Sequence, residues 1–167
     1  VYRDHRYNDK STGIDFDDLR LEHLDASVSE IKPDSSGLLA KIDNLSFVER
    51  SGFKVDYLES IAYLSYEGST FDEVLIKTPF SNINCDLKFK YDSLDDLSEF
   101  ISKVRIESDF QECELDSRDL SYFAPELKGM NREIQLTGKI KGTIDQLKGR
   151  DLEITYGQNT FFSGNIS

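Results

Sequence analysis

Tryptophan is absent from this chain of 167 residues, methionine occurs once, cysteine and histidine twice each, and proline three times. Two cysteines cannot frame a disulfide scaffold. The two histidines, His5 and His23, have no partner at catalytic or metal-ligand spacing, so both read as ordinary surface residues. No apolar run approaches the length of a spanning helix, and no signal-peptide pattern precedes the first strands. Excess positive charge is also missing: Lys and Arg total 20 against 32 Asp and Glu, a formal net charge of -12. Nucleic-acid binding relies on clustered cations displacing phosphate counterions, so it is excluded as an expectation, and flat docking on an anionic membrane is disfavoured. Gly-x-Ser-x-Gly, Walker and His-Glu-x-x-His patterns are lacking. Gly13-Ile14-Asp15-Phe16-Asp17-Asp18 looks calcium-like, but Gly13 precedes the acidic positions and no Glu closes the loop. Nothing singles out two of the many carboxylates as a glycosidase pair. The expectation is a protein that is not an enzyme, with no cofactor and no metal.

What the chain does have is alternation. In Ile83-Asn84-Cys85-Asp86-Leu87-Lys88-Phe89-Lys90-Tyr91 every odd position is apolar or aromatic and every even one is Asn, Asp or Lys. A strand turns successive side chains to opposite faces, so this run makes a ribbon with one oily and one charged face. The same period returns in Val104-x-Ile106-x-x-x-Phe110, in Ile134-x-Leu136-x-x-x-Ile140 and in Leu152-x-Ile154-x-Tyr156. Eight Tyr and eleven Phe suit strands better than helices. Cys85 occupies an apolar slot and reads as a small buried hydrophobe, with a Cys85–Cys113 bridge as the alternative.

Residues 1–15 are a polar lead-in without periodicity, and residues 16–167 form the β segment. A change of parity between Leu21 and Leu24 places a bulge near His23. Turns are expected at Pro33–Gly37, Glu49–Gly52, Glu67–Ser69 and Thr78-Pro79. They separate strands from Leu38 to Val48, Phe53 to Tyr66 and Phe71 to Lys77, which short connections pair antiparallel. Ser93-Leu94-Asp95-Asp96 has a capping-box signature ahead of a short helix carrying Leu94, Leu97, Phe100 and Ile101 on one face. Ser117 is expected to cap a second short helix that stops before Pro125. Later strands run from Arg132 to Gly142, from Ile144 to Tyr156 and from Thr160 onward. The chain opens on Val1 and breaks off at Ser167 in mid-pattern, so it is expected to be a piece of a longer protein.

The phrase Asp119-Leu120-Ser121-Tyr122-Phe123-Ala124-Pro125-Glu126-Leu127-Lys128-Gly129, followed by Leu136-Thr137-Gly138-Lys139-Ile140-Lys141-Gly142-Thr143-Ile144 and Leu147-Lys148-Gly149-Arg150-Asp151-Leu152, resembles TamB-like, AsmA-superfamily periplasmic proteins of Bacteroidota-type bacteria. Leu45-Ser46-Phe47-x-x-x-Ser51-Gly52-Phe53 and Tyr91-x-Ser93-Leu94-x-x-Leu97 are similar to that family as well. The resemblance implies a mainly β fold whose long antiparallel strands curl into an open groove, a β-taco, here with two short helices. It implies a parent anchored in the inner membrane and crossing the periplasm, with phospholipid acyl chains and an outer-membrane barrel protein as partners. The implied function is shielding acyl chains during phospholipid transport between the two membranes. Scaffolding of outer-membrane protein translocation and assembly is one alternative, and a closed β-sandwich binding module is another. Carried onto this sequence, the groove lining falls on Ile83, Cys85, Leu87, Phe89 and Tyr91, on Val104, Ile106 and Phe110, on Ile134, Leu136 and Ile140, and on Leu152, Ile154 and Tyr156. The two helices are a departure that would plug or cap such a groove locally.

Overall fold

The structure, a computed structural model, describes residues 13–15, 18–157 and 160–166. Most of the expected lead-in, residues 1–15, therefore lies outside the described residues. The remainder is one antiparallel sheet of ten strands that does not close on itself, with two short α-helices. The strands are β1 (Leu21–Pro33), β2 (Gly37–Glu49), β3 (Lys54–Val55), β4 (Tyr57–Ser65), β5 (Gly68–Lys77), β6 (Asn82–Lys90), β7 (Arg105–Asp116), β8 (Glu133–Gly142), β9 (Lys148–Tyr156) and β10 (Thr160–Ile166). Their spatial order is β1-β2-β4-β5-β6-β7-β8-β9-β10, and β3 pairs with β2 beside this path. Each strand thus lies next to its sequence neighbour, as short turns between alternating segments require. No second sheet faces the first among the described residues.

Bulges step across nearly the whole sheet. Register shifts fall between Glu59 and Ile61, Phe71 and Val74, Phe110 and Cys113, Thr137 and Lys139, and Gly164 and Ile166. Glu73 and Asp151 take φ values of 54° and 50° there. An extra residue on one strand of a pair bends that strand and raises local twist, so a line of bulges creases the sheet across its strands. Small or mid-sized residues along this crease, Val74, Cys85 and Leu152 among them, are buried although only one layer is present. The expected bulge near His23 is found: His23 has φ 53° and the β1–β2 register shifts between Glu22 and Asp25.

Several boundaries differ from the sequence expectation. The long strand from Phe53 to Tyr66 is broken at Asp56, where the chain leaves β3 and re-enters as β4. The strand expected from Ile144 begins only at Lys148, because Ile144–Gln146 forms a 3-10 turn. The β6–β7 connection is a 3-10 segment, Leu94–Glu99, running into α1 (Phe100–Lys103). Asp96 accepts from the Ser93 N–H at 3.1 Å, the reciprocal half of a capping box. The apolar face expected of this segment is not buried: Leu94, Leu97 and Ile101 are exposed, while Phe100 packs edge-on against Phe89 at 5.4 Å. In α2 (Ser117–Leu120) the cap is Asp116, whose carboxylate accepts from the Arg118 N–H, and not Ser117. Ser117 is fully buried; its Oγ donates to the Met130 carbonyl at 2.7 Å and accepts from the Arg132 N–H at 2.9 Å, closing the neck of the β7–β8 loop.

Candidate functional site

Antiparallel register shows which side chains share a face, since directly opposed residues project to the same side. One row crosses the sheet through Ala40, Ala62, Phe71, Leu87, Ser108, Ile140, Gly149 and Ile166. Another links Cys113, Leu136, Ile154 and Phe162. A third joins Phe89, Ile106 and Gly142. Alternation in each strand has therefore been registered into one continuous apolar face from β2 to β10.

Glycines belong to this pattern. Gly138 stands opposite Phe110, Gly142 opposite Ile106, Gly149 opposite Ile140 and Gly164 opposite Leu152. At Gly149 and Gly164 the space is taken by the side chains of Leu152 and Phe162, and at Gly138 and Gly142 by neighbouring backbone. At Gly149 an added Cβ would lie 2.2 Å from a Leu152 methyl. The glycine-spaced phrases that carried the family resemblance thus have a packing role in this sheet.

The residues expected to line a groove separate into two groups. Ile83, Leu87, Phe89, Ile106, Phe110, Ile134, Leu136, Ile140, Ile154 and Tyr156 lie on the sheet and keep partial contact with solvent, whereas Cys85 and Leu152 are buried beside the crease. Tyr91 and Val104 lie just outside the strands and are buried. The Tyr91 hydroxyl bonds to Ser69 Oγ and the Ser65 carbonyl, both at 2.9 Å, so Tyr91 ties the β4–β5 turn to the end of β6. Val104, fully buried, closes α1. Phe71, Ile76, Ala62 and Phe162 join the apolar face without having been expected there. For Phe71 and Ile76 the signal is broken in sequence because a bulge within β5 switches parity between Phe71 and Val74.

A concavity of about 2090 Å3 lies over the β6–β7 and β8–β9 ends of the strands. It draws on both parities: Leu87, Phe89, Ile140 and Ile166 from the apolar face, and Lys88, Lys139, Lys141 and Arg150 from the charged one. The wholly apolar lining implied by the resemblance is therefore not what surrounds this trough.

On the charged face Glu107 receives Lys90 Nζ at 2.7 Å and Lys141 Nζ at 2.8 Å. These two ammonium groups, Lys141 first, hold its carboxyl down at about 2. A carboxylate whose native value is depressed contributes stability above its unfolded value, near 4.5, and loses it as pH falls through the native value. Glu107→Gln is expected to lower the melting temperature modestly at pH 7 and to converge with the parent as pH falls from about 4.5 to 2; melts from pH 7 to pH 2 check it.

Cys85 and Cys113 are both reduced and buried. Burial pushes the Cys85 thiol up to about 11, and Cys113 Sγ donates to the Asn84 carbonyl at 3.3 Å. Both behave as small core residues, not as nucleophiles.

At the opposite strand ends the Asp119 phrase forms a lock. Asp119, buried, accepts from Thr78 Oγ1 and from Ser81 Oγ (2.6 Å), and Ser81 Oγ accepts from the Asp116 N–H at 3.0 Å. Farther along the loop, Tyr122 and Phe123 pack edge-on against Phe53 at 5.6 and 5.1 Å, and the Tyr122 carbonyl accepts from the Ile14 N–H at 2.9 Å. The loop therefore reaches from the β7–β8 connection to the β2–β3 connection, several strands away. No group of three or more His, Cys, Asp or Glu side chains is placed to hold a metal ion among the described residues. No helix among them is long and apolar enough to cross a membrane. No protein-family model, curated protein or solved structure matches the chain.

Proposed function

We propose that the protein is a segment of a periplasmic, TamB-like lipid conduit, in which the apolar face of the open sheet shields phospholipid acyl chains moving between inner and outer membrane. The observation that carries this reading is a registered apolar face, β2 to β10, with no second sheet over it among the described residues and most of its large side chains only half-buried. Hydrocarbon needs no directional partner. Each methylene removed from water contributes about 0.8 kcal/mol, so a few suffice for loose binding that still permits sliding. Such a task calls for no catalytic group.

Leu152 and Ile154 separate an open face from a sealed core. Both point to the apolar face from β9, but Leu152 is 4% exposed and Ile154 is only half-buried. Leu152→Asp is expected to destabilise by several kcal/mol, because it buries an unpaired charge. Ile154→Asp is expected to leave the melt within a few degrees while abolishing lipid retention. Equal melting of both variants would show Ile154 to be core and would end the conduit reading.

A second reading, a scaffold that accepts a β-segment of a client protein, has its own support. The outer edges of β1 and β10 are unpaired among the described residues, and Phe161 and Phe162 on β10 are exposed. Such an edge offers unpaired backbone groups to an added strand. Photocrosslinkers at Phe89 and Ile106 are expected to recover lipid, and recovery of polypeptide instead would favour the scaffold.

A further inference from the structure

Cations on the charged face are arranged against electrostatic expectation. Lys90 stands directly opposite Arg105, Lys139 opposite Arg150, and Lys141 opposite Lys148. Opposed residues carry their Cβ atoms about 5 Å apart, and like charges so placed repel. Three such pairs sit together on β6 to β9 of a protein with 32 acidic and 20 basic residues.

The nearby acids reach only one cation of each pair. Glu107 is shared by Lys90 and Lys141, and Asp109 is taken by Lys139 at 2.7 Å. Asp96 is held by Lys103 and the Ser93 N–H, and Asp86 accepts from the Glu73 N–H. Lys88, Arg105, Lys148 and Arg150 have no acidic partner within 4.0 Å among the described residues. All four line the 2090 Å3 trough, together with Leu87, Phe89, Ile140 and Ile166 of the apolar face and with the carboxylates of Glu67, Asp72 and Asp92. Lys141 and Lys148 flank the β8–β9 connection, so the trough meets the lip where the two faces join.

We propose that this cationic patch takes the phosphate of an anionic lipid headgroup, held at the lip while its acyl chains lie along the apolar face. The repulsion among the paired cations is relieved when a phosphate enters, which selects net-negative headgroups over zwitterionic ones. The assignment rests on the conduit reading for the acyl chains and adds to it the class of lipid carried.

The test is native mass spectrometry of the protein loaded with dioleoylphosphatidylglycerol or dioleoylphosphatidylcholine from the same detergent at low salt. Phosphatidylglycerol is expected to load about tenfold better, given two or more cations near its phosphate. The double variant Lys148→Glu/Arg150→Glu is expected to abolish the preference while phosphatidylcholine loading persists. Both positions are exposed and unpaired, and a circular dichroism melt checks that the fold is kept. Glu107→Gln frees Lys90 and Lys141 and is expected to strengthen the preference. Equal loading of the two lipids, or a preference that survives charge reversal, would overturn the proposal. If neither lipid loads, the acyl-chain reading fails first, and the headgroup assignment falls with it. A pyrophosphate titration followed by the amide resonances of residues 148–150 then judges the patch alone: shifts that charge reversal removes retain an anion site, and no shift overturns it.

Discussion

Gly138→Val is expected to lower stability by about 3 kcal/mol, which for a chain of this length lowers the melting temperature by roughly 10 °C. Gly138 faces the β9 bulge at φ 116°, a region that residues with a Cβ rarely enter. An added Cβ would approach the Asp151 carbonyl oxygen to 2.5 Å and the Leu152 Cα to 2.8 Å, both backbone atoms of the paired strand. Neither can move without opening the β8–β9 ladder where the sheet is creased. Gly129→Val is the control. Its φ is also positive, at 88°, but nothing lies within 4 Å of its Cβ position, so only the backbone term remains, about 1 kcal/mol. Thermal melts of the two variants side by side separate the crease from conformational preference. A small effect at Gly138 would show that the bulge line does not set the curvature.

Asp119→Ala is expected to cost about 3 kcal/mol, measured by urea unfolding. Its carboxylate is the shared acceptor for Thr78 and Ser81 in a buried setting, and Ser81 in turn accepts from the Asp116 amide. Removing the acceptor leaves two hydroxyls without their partner and loosens the loop that carries Tyr122 and Phe123 to Phe53. Asp119→Asn keeps one acceptor oxygen and is expected to recover roughly half of the loss. If Asp119→Ala unfolds at the same urea concentration as the parent, the phrase from Asp119 to Gly129 has a task other than holding the fold.

Much of this architecture was legible in the residues because a period of two is a strong signal when one face is buried. Ile83 to Tyr91 and the segments around Ile106, Leu136 and Ile154 needed no further context, and their shared face follows from turn-linked antiparallel pairing. Helix ends were less legible. Asp116 and Ser117 both suit a cap, and only the Met130 and Arg132 backbone groups across the loop neck decide between them. Bulges hid the face in β5, since an extra residue reverses parity after Phe71. The cationic pairs were invisible because register between β8 and β9, not spacing along either strand, brings Lys139 to Arg150 and Lys141 to Lys148. The covering of the apolar face was likewise beyond alternation alone: a sandwich core and an open groove write the same pattern, and the single unclosed sheet distinguishes them.

Whether hydrocarbon occupies that face is decided most directly by native mass spectrometry of the protein purified from cell envelopes without detergent. The account expects adducts of phospholipid mass on the parent and their loss in Ile154→Asp. A bare monomer, giving the same spectrum for parent and variant, would contradict it.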